Sequence, residues 1–175
     1  MKKKDSLYKK TYTAIFSAII LLSTMLVKFS TGMGEGYVHF GDCFIYLTAC
    51  ILPFPYCLIA GALGGALADI LGGFAVWSLP TAIIKILIAL PFMLMCRKNK
   101  SQKILSMKTA LTTIVSGLIS IIGYFVTECI LYSVASATLS LIGNTIQAVA
   151  SGILFIIIAS ALDKINFKSK LFKGV

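Results

Sequence analysis

The chain has 175 residues, of which 58% are hydrophobic and only 13% charged, with a mean hydropathy of +0.96. That polar content is too small to coat a soluble domain of this size, so the composition is that of an integral membrane protein. The formal net charge of +10 would suit nucleic acid on a polar domain with one basic face, but no polar domain is present, which argues against a nucleic-acid partner.

The basic residues instead form three clusters. Lys2, Lys3, Lys4, Lys9 and Lys10 precede the first apolar run; Arg97, Lys98, Lys100, Lys103 and Lys108 lie mid-chain; Lys164, Lys168, Lys170 and Lys173 follow the last run. Only Lys28 and Lys85 stand apart.

In chain order, residues 11–29 are apolar or weakly polar apart from Lys28, and long enough to cross a ~30 Å hydrocarbon core. The basic start followed by an apolar run mimics a signal peptide. Further membrane sequence follows without a small-residue cleavage site, so the run is read as a span. Residues 30–40, polar and Gly-rich with Glu35 and His39, read as a loop. Residues 42–52 are a short apolar segment stopped by Pro53-Phe54-Pro55, because proline lacks an N–H and restricts the residue before it. Residues 56–71 resume the apolar pattern up to Gly72-Gly73, residues 74–79 form a turn, and residues 80–96 are the next span. After the hydrophilic loop 97–107 come two long spans, 109–132 and 139–162, joined by a Ser/Ala/Thr connector.

The expected fold is therefore all-α: a single transmembrane domain over residues 1–175, with six crossings, the second of them short. Even parity puts both termini on one side, all three basic clusters fall there, and the positive-inside rule makes that side cytoplasmic. Trp77 and Tyr132 then fall near the outer boundary and Tyr8 and Tyr12 near the inner one, as aromatic belts require. His39 and Asp42 sit towards the outer face. No internal repeat points to a transporter made from inverted halves. Walker A, GxSxG and HExxH patterns are all missing, so the chain reads as a non-enzyme without a cofactor.

The candidate functional residues are the polar groups set in apolar sequence. A charge at the bilayer centre costs about 2.5–3.5 kcal/mol on insertion scales, so Asp69 and Lys85 face either a cavity or each other. As a pair they are a structural ion pair or part of a ligand site, and the sequence leaves both open. Glu128 lies in the outer third of its span; Asn144 and Gln147, three residues apart, share one helical face. These three could serve a small heterocycle or bond helix to helix. His39, the only histidine, has no second His or Cys in reach and suits a lid or ligand contact better than a metal. The five cysteines lack a CxxC pair and read as small apolar side chains, with no metal expected. Small residues between Ala60 and Gly73, several of them four apart, read first as helix packing, and Ala14 and Ala18 form an AxxxA element in the first span.

The runs Gly36-Tyr-Val-His-Phe-Gly41-Asp42, Gly61-Ala-Leu-Gly-Gly-Ala-Leu-Ala-Asp69-Ile-Leu-Gly-Gly73 and Pro80-Thr81 with Ile83-Ile84-Lys85 resemble the substrate-binding (S) components of energy-coupling factor (ECF) transporters. The branch most similar is the riboflavin-type or hydroxymethylpyrimidine-type one. The resemblance implies a vitamin-capturing subunit of the cell membrane of a prokaryote, which docks on a transmembrane coupling (T) subunit joined to two cytoplasmic ABC ATPases. It also implies that Ala14 and Ala18 dock and that residues 30–40 act as a lid. The substrate contacts expected from the residues themselves are Tyr37, His39, Asp69, Trp77, Lys85, Glu128, Asn144 and Gln147. A pyrimidine, pyridoxine or flavin would suit the aromatic and amide groups among them. A neutral heterocycle is favoured if Asp69 and Lys85 compensate each other. The competing readings are an ion-coupled carrier working alone and a small membrane enzyme or structural membrane factor.

Overall fold

The computed structural model describes residues 2–26, 28–30, 37–98 and 103–171. Helix α1 (Lys2–Met25) leads into a short antiparallel hairpin of β1 (Lys28–Ser30) and β2 (Tyr37–His39), in which Phe29 pairs with Val38. Helices α2 (Gly41–Ile51) and α3 (Tyr56–Leu71) follow, then a 3₁₀ turn at Ala75–Trp77, α4 (Ser78–Lys98), α5 (Met107–Leu131), α6 (Val134–Lys164) and the short α7 (Phe167–Leu171).

The packing is that of a membrane bundle. On α5 the buried face is Thr109, Thr112, Thr113, Ser116, Gly117, Ser120 and Glu128. Its exposed face carries Leu111, Ile114, Leu118, Ile122 and Val126. Polar and small side chains point inward and branched apolar ones outward, the reverse of a water-soluble helix. Hydroxyls then bond across or along helices, as where Ser116 Oγ donates to the Ile88 carbonyl of α4 at 2.8 Å. Three helices, at Ala75–Met95, Met107–Leu131 and Val134–Lys164, are long and apolar enough to cross a membrane.

Helix α2 is the axis of the bundle. Every residue in it except Phe44 is buried, and it packs against α1, α3, α4 and α6. Eleven residues at about 1.5 Å each reach roughly 16 Å, half a bilayer core, so this segment is a core helix rather than a lipid-facing one. The aromatic cluster of Tyr46, Phe92 and Phe155 lies beside it, with Tyr46 and Phe92 stacked at 4.6 Å.

Glycine sets how closely its neighbours approach. A Cβ on Gly64 would lie 2.8 Å from the Ser17 carbonyl of α1, and one on Gly65 would lie 2.8 Å from Cγ of Lys85. The small-residue stripe of α3 therefore admits α1 on one side and the lysine stem on the other, as packing in membranes requires.

Several boundaries differ from the sequence reading. Helix α1 begins before residue 11 and stops at Met25, because Lys28–Ser30 turns into a strand. Residues 28–30 and 37–39 are thus the two sides of a hairpin, while residues 31–36 of the expected lid lie outside the described residues. The Ser/Ala/Thr connector is mostly helical: Ser133 caps α6 by accepting from the Ser136 amide at 3.2 Å. Serine at an N-cap favours a helix start, and nothing after it breaks one. Likewise Ser106 and Thr109 form a reciprocal capping box that starts α5, satisfying two orphan donors. Helix α3 ends as the glycine pair implies, with Gly73 at φ 86° and Phe74 N donating to Asp69 O at 2.8 Å. That geometry is a Schellman termination.

Candidate functional site

Successive helices reverse direction. Ile45 of α2 lies beside Gly61 of α3 and Lys85 of α4 beside Gly65, while Glu128 near the end of α5 meets Ser140 near the start of α6. One end of the bundle therefore collects the ends of α1, α3 and α5 and the starts of α2, α4 and α6. A cavity opens there, lined by side chains of α1, α3, α4, α5 and α6 and of the hairpin. The opposite end carries the described residues of the basic clusters. There Asp163 of α6 accepts from the amides of Ile104 and Leu105 at 2.7 and 2.8 Å, and Tyr8 reaches the Leu171 carbonyl.

The cavity floor is a charged network. Lys85 Nζ meets Asp42 Oδ1 at 2.5 Å, with side-chain exposures of 1% and 0%. Gln147 Nε2 donates to the second carboxylate oxygen, Asp42 Oδ2, at 3.1 Å. Gln147 Oε1 in turn accepts from the His39 backbone amide at 3.3 Å, and His39 Nδ1 accepts from the Gly41 amide at 3.1 Å. Buried ions are tolerated when paired and when their remaining hydrogen-bonding positions are filled, and here both carboxylate oxygens have partners. The network joins α4, α2, α6 and the hairpin.

The walls combine carboxylates, amides and rings. Asp69, in the last turn of α3, and Phe74, just after the glycine pair, both line the cavity. Glu128 accepts from Ser140 Oγ at 2.7 Å across the α5–α6 contact, with Asn144 one turn further along α6. Trp77, whose indole N–H donates to Tyr132 Oη at 3.1 Å, lies 6.1 Å from the Tyr124 ring. Lys85 Nζ sits 5.1 Å from the centre of that ring, in cation–π range.

Of the residues expected at the site, His39, Asp69, Trp77, Lys85, Glu128, Asn144 and Gln147 all line this cavity. Tyr37 is in β2 opposite Ser30, and its side chain lies outside the described residues. Ala14 and Ala18 are elsewhere, exposed on α1 beside Ile15 and away from Phe16, Ser17 and Ile20, which pack inward. Of the two readings left open for Asp69 and Lys85, the mutual ion pair is not the one found: the lysine's ion pair runs to Asp42, and both residues line the cavity. Asp42 opens α2 at the heart of the bundle, and Gly65 clears the path the lysine stem takes. Sequence reasoning also missed Thr24, Phe74, Thr81, Tyr124 and Ser140 on the cavity wall. Three of these were findable, since Thr81, Tyr124 and Ser140 each precede a nominated residue (Lys85, Glu128, Asn144) by four positions, on the same helical face.

An inside-out helical bundle with a polar-lined cavity at one end defines a multi-pass membrane protein built around a small-molecule site. Comparison with known proteins identifies the family. The ECF-type riboflavin transporter S component family matches residues 4–164, and the chain belongs to it. It is a substrate-binding subunit of an ECF-type transporter. A protein of Pyrococcus woesei, named "Uncharacterized protein in gap 3'region", is 30% identical over 135 residues, covering 77% of this chain and 87% of that protein.

Proposed function

We propose that this subunit captures a vitamin or vitamin precursor at the outer face of a prokaryotic plasma membrane and delivers it inward with a T subunit and two ABC ATPases. The observation that carries this reading is polarity: the cavity and the described residues of the basic clusters occupy opposite ends of one bundle. With the basic end cytoplasmic, both termini are inside, the alternating helices make six crossings with the short α2 completing its own inside the bundle, and the cavity faces outward. His39, Asp69, Trp77, Lys85, Glu128, Asn144 and Gln147 are assigned to the ligand from the wall, and Tyr37 from the hairpin above it. A compact ring such as a pyrimidine, pyridoxine or flavin suits a wall of aromatic and amide groups.

Docking on the T subunit is assigned to α1, where Ala14 and Ala18 leave a shallow exposed strip on which a partner helix approaches closely. The test is uptake of labelled vitamins by cells expressing this chain with, and without, the T subunit and ATPases. Uptake that needs all the subunits, and that Ala14→Trp with Ala18→Trp abolishes without loss of ligand binding, is the expected result. Uptake by the chain alone would overturn the reading in favour of an ion-coupled carrier.

A further inference from the structure

Two side-chain amides line the cavity, Asn144 and Gln147, and only one of them is held by the protein. Gln147 is tied at both ends: its Nε2 donates to Asp42 Oδ2 and its Oε1 accepts from the His39 amide. Asn144, one turn nearer the start of α6, is half-buried, and its amide makes no hydrogen bond among the described residues. The rest of the wall discriminates less. Carboxylates only accept and an ammonium only donates, and the lysine is turned to Asp42. The Trp77 indole donates to Tyr132, and the Thr24 and Ser140 hydroxyls donate to the Ile20 carbonyl and to Glu128. Thr81 and Tyr124 bring hydroxyls, each a single atom that rotates to donate or accept. Among the described wall residues, Asn144 is thus the one that offers a fixed donor beside a fixed acceptor with neither engaged.

An amide left unpaired between membrane helices costs free energy, and helices ordinarily bond such groups to one another. At Asn144 the partner that completes the amide is the occupant of the cavity. The amide N–H and C=O lie side by side in one plane, so the group that satisfies both is another planar edge, with an acceptor beside a donor. Asparagine pairs in this way with the donor–acceptor edge of adenine. The aromatic residues Phe74, Trp77 and Tyr124 on the wall suit the same ligand, since rings stack on the faces of a flat heterocycle and leave its edge to hydrogen bonds.

We infer that Asn144 is the specificity-determining residue of the cavity, and that it reads a flat ring edge on which a hydrogen-bond donor adjoins an acceptor. That edge is the N–H beside C=O of a cyclic imide, as in a flavin, or the amino group beside a ring nitrogen of an aminopyrimidine. A pyridine alcohol such as pyridoxine lacks it. The inference rests on the vitamin-binding reading above and narrows it to ligands that carry this edge. The test is isothermal titration calorimetry on the purified full chain in detergent. Each arm is a matched pair that differs in the donor: riboflavin with 3-methylriboflavin, and 4-amino-5-hydroxymethyl-2-methylpyrimidine with its 4-dimethylamino analogue. Pyridoxine and nicotinate are the probes without the edge.

The expected result is that the parent compound of one arm is the tightest binder. Its methylated partner should bind at least about tenfold more weakly, as a polar group left unpaired in the site implies. In Asn144→Leu the gap within that pair should close to about twofold or less, because the variant has no edge to read. Asn144→Ala is the second variant, and circular dichroism with gel filtration establishes that each is folded. A gap that persists in the folded variants is steric and overturns the inference. So does a wild-type gap under about twofold, or pyridoxine or nicotinate as the tightest binder, and these outcomes leave the vitamin-binding reading standing. Failure of every probe to bind the folded wild-type chain overturns the inference too, while the broader reading is decided separately by the uptake assay.

Discussion

Asp42→Asn removes the charge that balances Lys85 while keeping the size and shape of the side chain. In the native protein the ammonium lies 2.5 Å from a carboxylate oxygen and both groups are essentially inaccessible. Gln147 fills the second oxygen, and Gly65 leaves no slack for the lysine stem to swing away, a Cβ there already falling 2.8 Å from Lys85 Cγ. Deleting one member of a buried pair costs about 3–5 kcal/mol, because the survivor is left charged in a low-dielectric site. Replacing both members by apolar groups of similar volume is close to neutral. Reversible unfolding in mixed micelles should therefore show Asp42→Asn destabilised by about 3–5 kcal/mol and Asp42→Leu with Lys85→Met within about 1 kcal/mol of wild type. Asp69→Asn should cost less than Asp42→Asn, since it leaves the Lys85–Asp42 pair whole. If Asp42→Asn unfolds within about 0.5 kcal/mol of wild type, or if Asp69→Asn costs as much, the assignment of Asp42 as the lysine's partner is wrong.

Gly64→Ala should destabilise by about 1–3 kcal/mol, since its Cβ meets the Ser17 backbone carbonyl at 2.8 Å and backbone cannot yield as a side chain does. Gly61→Ala, whose nearest neighbour is 3.5 Å away, should be neutral or better in the same assay; equal costs at the two positions would contradict the close α1–α3 approach. Asp163→Ala removes the acceptor of two loop amides, so hydrogen exchange at Ile104 and Leu105 should quicken by roughly tenfold or more, a charged hydrogen bond being worth about 1.5–3 kcal/mol. Unchanged exchange there would show that the α4–α5 loop is held by something else. Gln147→Leu severs the link between Asp42 and the His39 amide, and exchange at His39 should rise while the Lys85–Asp42 pair keeps most of the stability.

The long helices and the inside-out character were legible because a bilayer leaves few options: polar groups bond within helices and apolar length sets the span. That Asp69, Lys85, Glu128, Asn144 and Gln147 line one cavity was legible for a related reason, since a polar side chain in apolar sequence must face inward. Depth within the bundle was not legible. Asp42 looked like a boundary residue because it follows a loop, yet α2 dips into the core, and only the tertiary packing places it against Lys85. Tyr124 and Thr81 were hidden because aromatic and hydroxyl side chains do not stand out in membrane sequence; their spacing of four from Glu128 and Lys85 was the available signal. The hairpin escaped because three-residue strands carry too few alternations to read.

The central claim is that the cavity holds a vitamin or vitamin precursor. Native mass spectrometry of the full chain, purified gently from cells grown in rich medium, tests it most directly. A retained small molecule, released on denaturation, identified as a micronutrient heterocycle and lost from Trp77→Ala or Glu128→Gln protein, is the result this account predicts. Wild-type chain that carries nothing, and gains no mass when any of the vitamins is added, would contradict it.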